Sequence, residues 1–407
     1  MLSKRYGKFT KAALFIFVLC LAGLLAACGK NADMQSLEPE IIKDSAAGNN
    51  IVDDADSTEK ESSDPDTGSA ADAKAEAMRE MFGENCIVEQ TFEVELSEYS
   101  GKVYFVPFMP SEENPEFSMQ IIQNGEVLTQ IRAYVPDELA NEKFSSLDAV
   151  SFFDVNYDSF TDIVLIETYG DKSFAAIYYG FDAEDAEYAR YFWAQDQLSA
   201  AVTDQVDALT ILSIRNLLTG GKKNGEFTCY QEAYYSISIL SDLESDGREQ
   251  YNLIYVDGDD IPELAVGVEG YYVSLYTYHD GKVYMLMDQW GYGAFGNAGY
   301  EYAPRKNNLR NDNADYAGLI VYTSYMKISD KYSLDVVAQI ETYNFDDSNG
   351  NGMPDENEEG SAGYYSVSYL DGVEITDEVW ASYNAGDYEF IVTTMSLGDL
   401  RTILMQK

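Results

Sequence analysis

The segment Phe152-Phe-Asp154-Val-Asn156-Tyr-Asp158-Ser-Phe160-Thr-Asp162-Ile-Val-Leu-Ile166 decides how the rest of the chain is read. Asp154, Asn156 and Asp158 stand at alternate positions, and Asp162 follows four residues after the last of them. With that spacing one tight turn can aim four oxygen-bearing side chains at a single point. A hard cation such as Ca²⁺ takes six to eight oxygens at about 2.3–2.6 Å, largely from loops of this kind. Ile163-Val164-Leu165-Ile166 follows at once, an apolar run of the sort that forms a strand buried on both faces.

A related stretch begins 101 residues later, Tyr255-Val-Asp257-Gly-Asp259-Asp260-Ile-Pro-Glu263-Leu. Here Asp257, Asp259 and Glu263 take the places of Asn156, Asp158 and Asp162, but Tyr255 stands where the first carboxylate belongs. Two readings stay open for it, a cation loop or a turn whose Asp side chains bond nearby backbone. A third loop has the full EF-hand-type spacing: Asp347, Asn349, Asn351, Asp355 and Glu358 supply side chains, Met353 a carbonyl, and Gly352 the sharp turn.

Outward from these loops the signal is of hairpins. Phe92, Val94 and Leu96 alternate with polar residues, and Phe117–Gln123 and Glu126–Val135 flank Asn124-Gly125. That dipeptide supplies two positive-φ residues to a two-residue turn. Asp280-Gly281 and Asp371-Gly372 repeat the device. After the first loop, Asp162–Thr168, Ser173–Tyr179 and Tyr188–Trp193 read as strands; after the second, Glu263–Val268, Tyr271–Tyr278 and Lys282–Trp290 follow in the same order, as in a diverged internal repeat. Helices are expected over Thr203–Leu218 and from Thr228, whose capping partner would be Gln231. Tyr300–Gly318 reads as loop, and His279 as an exposed turn residue. The expected fold is mainly β, α+β in detail, with two antiparallel-sheet domains over 83–220 and 221–407 and a few helices.

At the other end, Lys4, Arg5, Lys8 and Lys11 precede the apolar run Ala12–Ala27, the pattern of a secretory signal over residues 1–27. Residues 28–82 read as a disordered acidic tether with a short helix over Ala71–Phe82, because few large apolar side chains are available to offset ordering entropy. The whole chain carries 26 basic and 71 acidic residues, a net charge of −45; without the four leader cations it is near −49. Such a field repels nucleic acid and anionic lipid. Cys86 and Cys229 permit one disulfide without requiring it.

Leu25-Ala26-Ala27-Cys28 resembles the lipobox of bacterial lipoproteins, which implies a lipid on Cys28, a membrane as partner and an extracytoplasmic place of work. The first two loops resemble the aspartate loops of FG-GAP and VCBS repeats, and the third resembles dockerin and thrombospondin calcium loops. The resemblance implies Ca²⁺ as cofactor, with Asp154, Asn156, Asp158, the Phe160 carbonyl and Asp162 as ligands of the first loop.

Gly291-x-Gly293-x-x-Gly296 lacks the helix that a dinucleotide fingerprint requires, since Gly299 and Pro304 follow. Trp290, Tyr292, Phe295, Tyr300 and Tyr302 form a candidate platform for a sugar ring or a protein. The expected function is a non-enzymatic, calcium-stabilised surface lipoprotein that binds a glycan or a protein. The alternatives are a secreted hydrolase with paired carboxylates and an accessory factor of a membrane assembly.

Overall fold

The computed structural model describes residues 67–181, 192–222, 226–245, 247–355 and 366–406. The leader, Cys28, most of the tether and Glu358 lie outside them. Among the described residues the fold is mainly β, with nineteen strands in four antiparallel sheets and six α-helices. Two compact units divide between 222 and 226.

The first unit opens with α1 (Thr67–Phe82), which stops at Gly83 in the left-handed region, φ 102°. β1 (Phe92–Glu95), β2 (Lys102–Phe108), β3 (Ser118–Gln123) and β4 (Glu126–Arg132) form an antiparallel meander. A second meander follows in β5 (Phe144–Phe153), β6 (Asp162–Tyr169), β7 (Lys172–Gly180) and β8 (Phe192–Ala194). One core draws on both sheets: Phe105, Met119 and Ile121 from the first, Ile163, Leu165, Phe174 and Ala176 from the second. The other face of β6 and β7 is buried too, which accounts for the unbroken apolar run after Asp162. There α2 (Asp196–Gln205) packs on β7. β8 stops after three residues, and the hydroxyls of Ser199 and Thr203 on α2 accept the Ile177 and Ala175 N–H groups at 3.0 and 2.9 Å in place of a longer ladder.

The second unit contains α4 (Tyr230–Glu244), preceded in the chain by α3 (Ile211–Thr219) of the first unit. β9 (Gln250–Ile254), β10 (Glu263–Val268), β11 (Tyr272–His279) and β12 (Lys282–Gly291) form its four-stranded meander. A seven-stranded sheet is built from β13 (Tyr300–Ala303), β14 (Asn308–Asp315), β15 (Ile320–Ile328), β16 (Leu334–Tyr343), β17 (Val367–Leu370), β18 (Val373–Ile375) and β19 (Glu389–Phe390), with β18 and β19 at its edges. α5 (Asp377–Asn384) precedes β19 and α6 (Leu397–Leu404) ends the described chain, packed on α4. Ala265, Val273, Leu275 and Met287 of the four-stranded sheet share a core with Tyr302, Leu309, Met326 and Ile328 of the larger one.

Local expectations meet the structure unevenly. Asn124-Gly125, Asp280-Gly281 and Asp371-Gly372 all take positive φ at both positions, 53° and 81° in the first case, as two-residue hairpins of this kind demand. The helix expected over Thr203–Leu218 is instead two. Val206 is extended at ψ 130°, and Thr210 caps α3 by accepting the Ser213 N–H at 3.1 Å. Apolar residues at 206, 209 and 212 carry the helical period across the break and conceal it. Thr228 does face the start of α4, but its N–H and hydroxyl both donate to Glu232, at 3.1 and 2.7 Å, and not to Gln231. Tyr300–Gly318 is no loop: β13 and β14 occupy most of it, and polar β14 is held by its position between β13 and β15. Cys86 is buried and free, so it forms no bridge to Cys229.

Candidate cation loops

The first loop joins β5 to β6, closed by the pair Phe153–Asp162. Asp162 is wholly buried and acts as its brace: its carboxylate accepts the Val155 N–H at 2.6 Å and the Gly180 N–H at 2.8 Å. Asp154 accepts from Ser159 N–H, Asn156 from Asp158 N–H and Asp158 from Phe160 N–H, so each acceptor side chain turns back over the loop. Tyr157 and Ser159 are left-handed, at φ 65° and 73°, and Tyr157 is buried with its hydroxyl donating to the Leu218 carbonyl at 3.3 Å. Ser159 therefore adopts the conformation for which such loops ordinarily use glycine.

The electrostatics of this loop are those of like charges under burial. Desolvation, and then the Asp158 charge, push the Asp154 carboxyl up to about 7. Asp162 is raised well above the carboxylate range by burial, then by Asp158 and Asp154. Residues 154–162 themselves contain no Lys, Arg or His. Asp154 Oδ1 is buried without a hydrogen-bond partner among the described residues. Glu98, from the turn after β1, joins this group: it accepts the Thr161 N–H at 2.9 Å, its second oxygen is buried with no partner among the described residues, and burial pushes it up to about 7. Sequence spacing could not have found Glu98, which lies some sixty residues before the loop.

The second loop joins β9 to β10 and closes on Ile254–Glu263, the pair that matches Phe153–Asp162. Three hydrogen bonds match as well. Val256 N–H donates to Glu263 at 2.7 Å, Asp259 N–H to Asp257 at 3.0 Å, and Ile261 N–H to Asp259 at 2.8 Å. Burial, opposed by the Val256 N–H, pushes Glu263 up to about 8. Where Asp154 stands in the first loop, Tyr255 lies under the Arg305 guanidinium, 4.3 Å from its ring centre. His279 is not an exposed turn residue: its side chain is 15% exposed and faces Asp257 and Asp259. Among the described residues, Asp257, Glu263 and His279 are the one group of three or more His, Cys, Asp or Glu whose ligand atoms all lie within 4.8 Å of one another. The loop with the poorest motif thus holds this cluster.

The third loop is more exposed. Asn351 N–H is shared between Asp347 at 3.0 Å and Asn349 at 2.9 Å, Gly352 N–H donates to Asp347 at 2.9 Å, and Asn349 donates to Asp355 at 2.8 Å. Gly350 and Gly352 both take φ 71°. Asp347, Asn349, Asn351 and Asp355 are thus brought together as the spacing predicts, and Met353, 58% exposed, donates its N–H to Asn351.

The five-residue aromatic platform does not form. Tyr300 and Tyr302 are core residues at 8% and 7% exposure, and Trp290 and Tyr292 pack against that core. Strand alternation in β13 turns both tyrosines inward. Phe295 alone of the five is exposed, at 81%. It borders an open depression with Gly296, Ala314, Asp315, Tyr316, Ala317 and Gly318, in which Tyr316 and Ala317 are left-handed at φ 50° and 57°. Two glycines of Gly291-x-Gly293-x-x-Gly296 have a packing role: a Cβ on Gly293 would run into the Gly270 backbone, and one on Gly296 into that of Ala314. The chain matches no protein-family model, no curated protein and no solved structure.

Proposed function

We propose that this is a surface lipoprotein, anchored by Cys28 on the outer side of a bacterial membrane, whose fold is stabilised by Ca²⁺ and whose second unit binds a glycan or protein without catalysis. The observation that carries the cation part is the first loop: Asp158 raises the proton affinity of both Asp154 and Asp162, Asp154 raises that of Asp162, and Asp154 keeps one buried oxygen unpaired among the described residues. Asp154, Asn156, Asp158, the Phe160 carbonyl and Asp162 would hold the ion, which supplies the positive charge that the loop lacks. Asp347, Asn349, Asn351, Met353, Asp355 and Glu358 would hold a second. The anchor rests on the Leu25-Ala26-Ala27-Cys28 order. For the ligand, the depression beside Phe295 and Tyr316 replaces the broader platform; left-handed non-glycine backbone is costly and concentrates at binding surfaces.

Melting in Ca²⁺ and in chelator tests the cation reading. An ion bound by the folded state alone adds about 2.7 kcal/mol at a hundredfold excess over Kd. Asp347→Ala should remove most of the high-affinity component and Asp158→Ala a weaker one. Equal melting temperatures in the two conditions refute the calcium reading. A glycan array probed with wild type and with Phe295→Ala tests the ligand surface. Retention insensitive to that change moves the ligand elsewhere, and cleavage of the arrayed sugars points instead to the hydrolase.

A further inference from the structure

His279 is the one histidine in the 407 residues, and the end of β11 turns its ring onto the second loop. Nε2 lies 3.9 Å from Asp257 Oδ2, and Nδ1 lies 3.6 Å from Asp259 Oδ2. Both separations exceed hydrogen-bond range, and Nε2 is buried with no hydrogen-bond partner among the described residues. Buried polar atoms are ordinarily satisfied, so this one needs an account. The ring is fixed by stacking: Tyr332 lies parallel to it, with centroids 4.2 Å apart and planes 6° from parallel, and donates its hydroxyl to Asp280 at 3.2 Å. Across the cluster Glu263 is equally fixed, accepting the Val256 N–H at 2.7 Å and the Thr277 hydroxyl at 3.2 Å.

We propose that Asp257, Glu263 and His279 form a site for a first-row divalent transition ion, with Zn²⁺ as the reference case, chemically distinct from the oxygen-only calcium loops. Imidazole suits zinc and its neighbours, whereas calcium takes oxygen. A tetrahedral ion about 2.0–2.2 Å from each donor sets the donors about 3.4 Å apart. The 3.9 Å between Nε2 and Asp257 closes to that value by a small side-chain adjustment. Asp259 has the other part in such a site: a metal-bound histidine gives its second ring N–H to a carboxylate, which fixes the tautomer, and Nδ1 faces Asp259. Tyr255, which costs the loop a calcium ligand, is not needed here. Arg305, bonded to the Asp259 carbonyl at 2.8 Å, holds that side of the loop. This inference goes beyond the calcium reading and stands independently of it.

The competing account is an imidazolium held as counter-ion by the surrounding carboxylates. With one histidine in the chain, ring-nitrogen-labelled histidine gives a single pair of signals, and every change in them reports on this site. The full chain is placed in excess Ca²⁺ at neutral pH, so that oxygen-only sites are filled, and Zn²⁺ is added to equimolarity. The Nε2 signal should move to a metal-bound position while Nδ1 keeps its proton. Loss of an outer-sphere partner already weakens metal binding by roughly 10- to 100-fold, so His279→Gln and Glu263→Gln, which remove direct ligands, should weaken Zn²⁺ by about 100-fold or more. Circular dichroism of each variant confirms that it is folded. Asp154→Asn, confined to the first loop, should bind Zn²⁺ as wild type does, even if calcium binding is lost there. Ring signals that respond to pH but ignore Zn²⁺ establish the counter-ion account and overturn the proposal. Unchanged Zn²⁺ affinity in His279→Gln overturns it as well.

Discussion

Glu167 lies in the middle of β6 with no exposed surface, and neither carboxyl oxygen has a hydrogen-bond partner among the described residues. Burial alone lifts its proton affinity well above the carboxylate range, so the folded chain keeps a proton that the unfolded chain gives up near pH 4. The folded state therefore binds more protons, and the contribution to stability falls as pH rises above that point. Below it both states are protonated, and only the cost of an unpaired neutral carboxyl is left. Glu167→Met keeps the volume and removes the polar group, and at neutral pH should stabilise the protein by about 1–3 kcal/mol. The gain should shrink as pH falls toward 4. Urea melts of both proteins at several pH values measure this, and a gain that is flat in pH means that Glu167 is not the titrating group. Because the group stands apart from the loops, the result should be the same in Ca²⁺ and in chelator.

At the scale of the element, the first loop and the third share one left-handed turn conformation and differ in the residue that adopts it. At the turn position the third has Gly352 at φ 71° and the first has Ser159 at φ 73°. A side chain costs about 1–2 kcal/mol in that region, and glycine does not. Ser159→Gly should thus raise stability by about 1 kcal/mol, part of the gain being lost to the larger unfolded-state entropy of glycine. The Ser159 N–H that donates to Asp154 at 3.1 Å is backbone and survives the change. Thermal melts in chelator test the point, and a destabilised variant would mean that the hydroxyl makes a contact of greater worth than the strain.

For the whole molecule the governing quantity is the net charge of −45. Self-repulsion opposes compaction and is screened by salt, with a Debye length of about 10 Å at 0.1 M. In chelator the melting temperature should climb as NaCl is added. On the proposed calcium reading the climb should be smaller in Ca²⁺, since ions bound in the loops would relieve the closest repulsions. Parallel salt series decide it; identical slopes would place the repulsion on the general surface and not in the loops. Among the described residues no helix is long and apolar enough to cross a membrane. Attachment in the proposed function rests on the Leu25-Ala26-Ala27-Cys28 order, and Cys28→Ser should move the protein from the detergent phase to the aqueous phase.

The sequence by itself determined the class of fold and its punctuation. Period-two alternation, the Asn-Gly and Asp-Gly turns and the apolar runs after Asp162 and Glu263 are local, and local steric preference is enough to place them. It also determined which side chains gather in the third loop, because Asp347, Asn349, Asn351 and Asp355 are close along the chain. Only the tertiary structure decided what depends on partners far apart in sequence. It set Glu98 against the first loop, turned Tyr300 and Tyr302 into the core, made a strand of polar Asn308–Asp315 by placing it between two others, and brought His279 from the end of β11 onto Asp257 and Glu263. The physical reason is common to all four. Spacing along a chain specifies which side chains share a turn or a face, while burial and charge at a point are set by whichever strands the sheet brings alongside it.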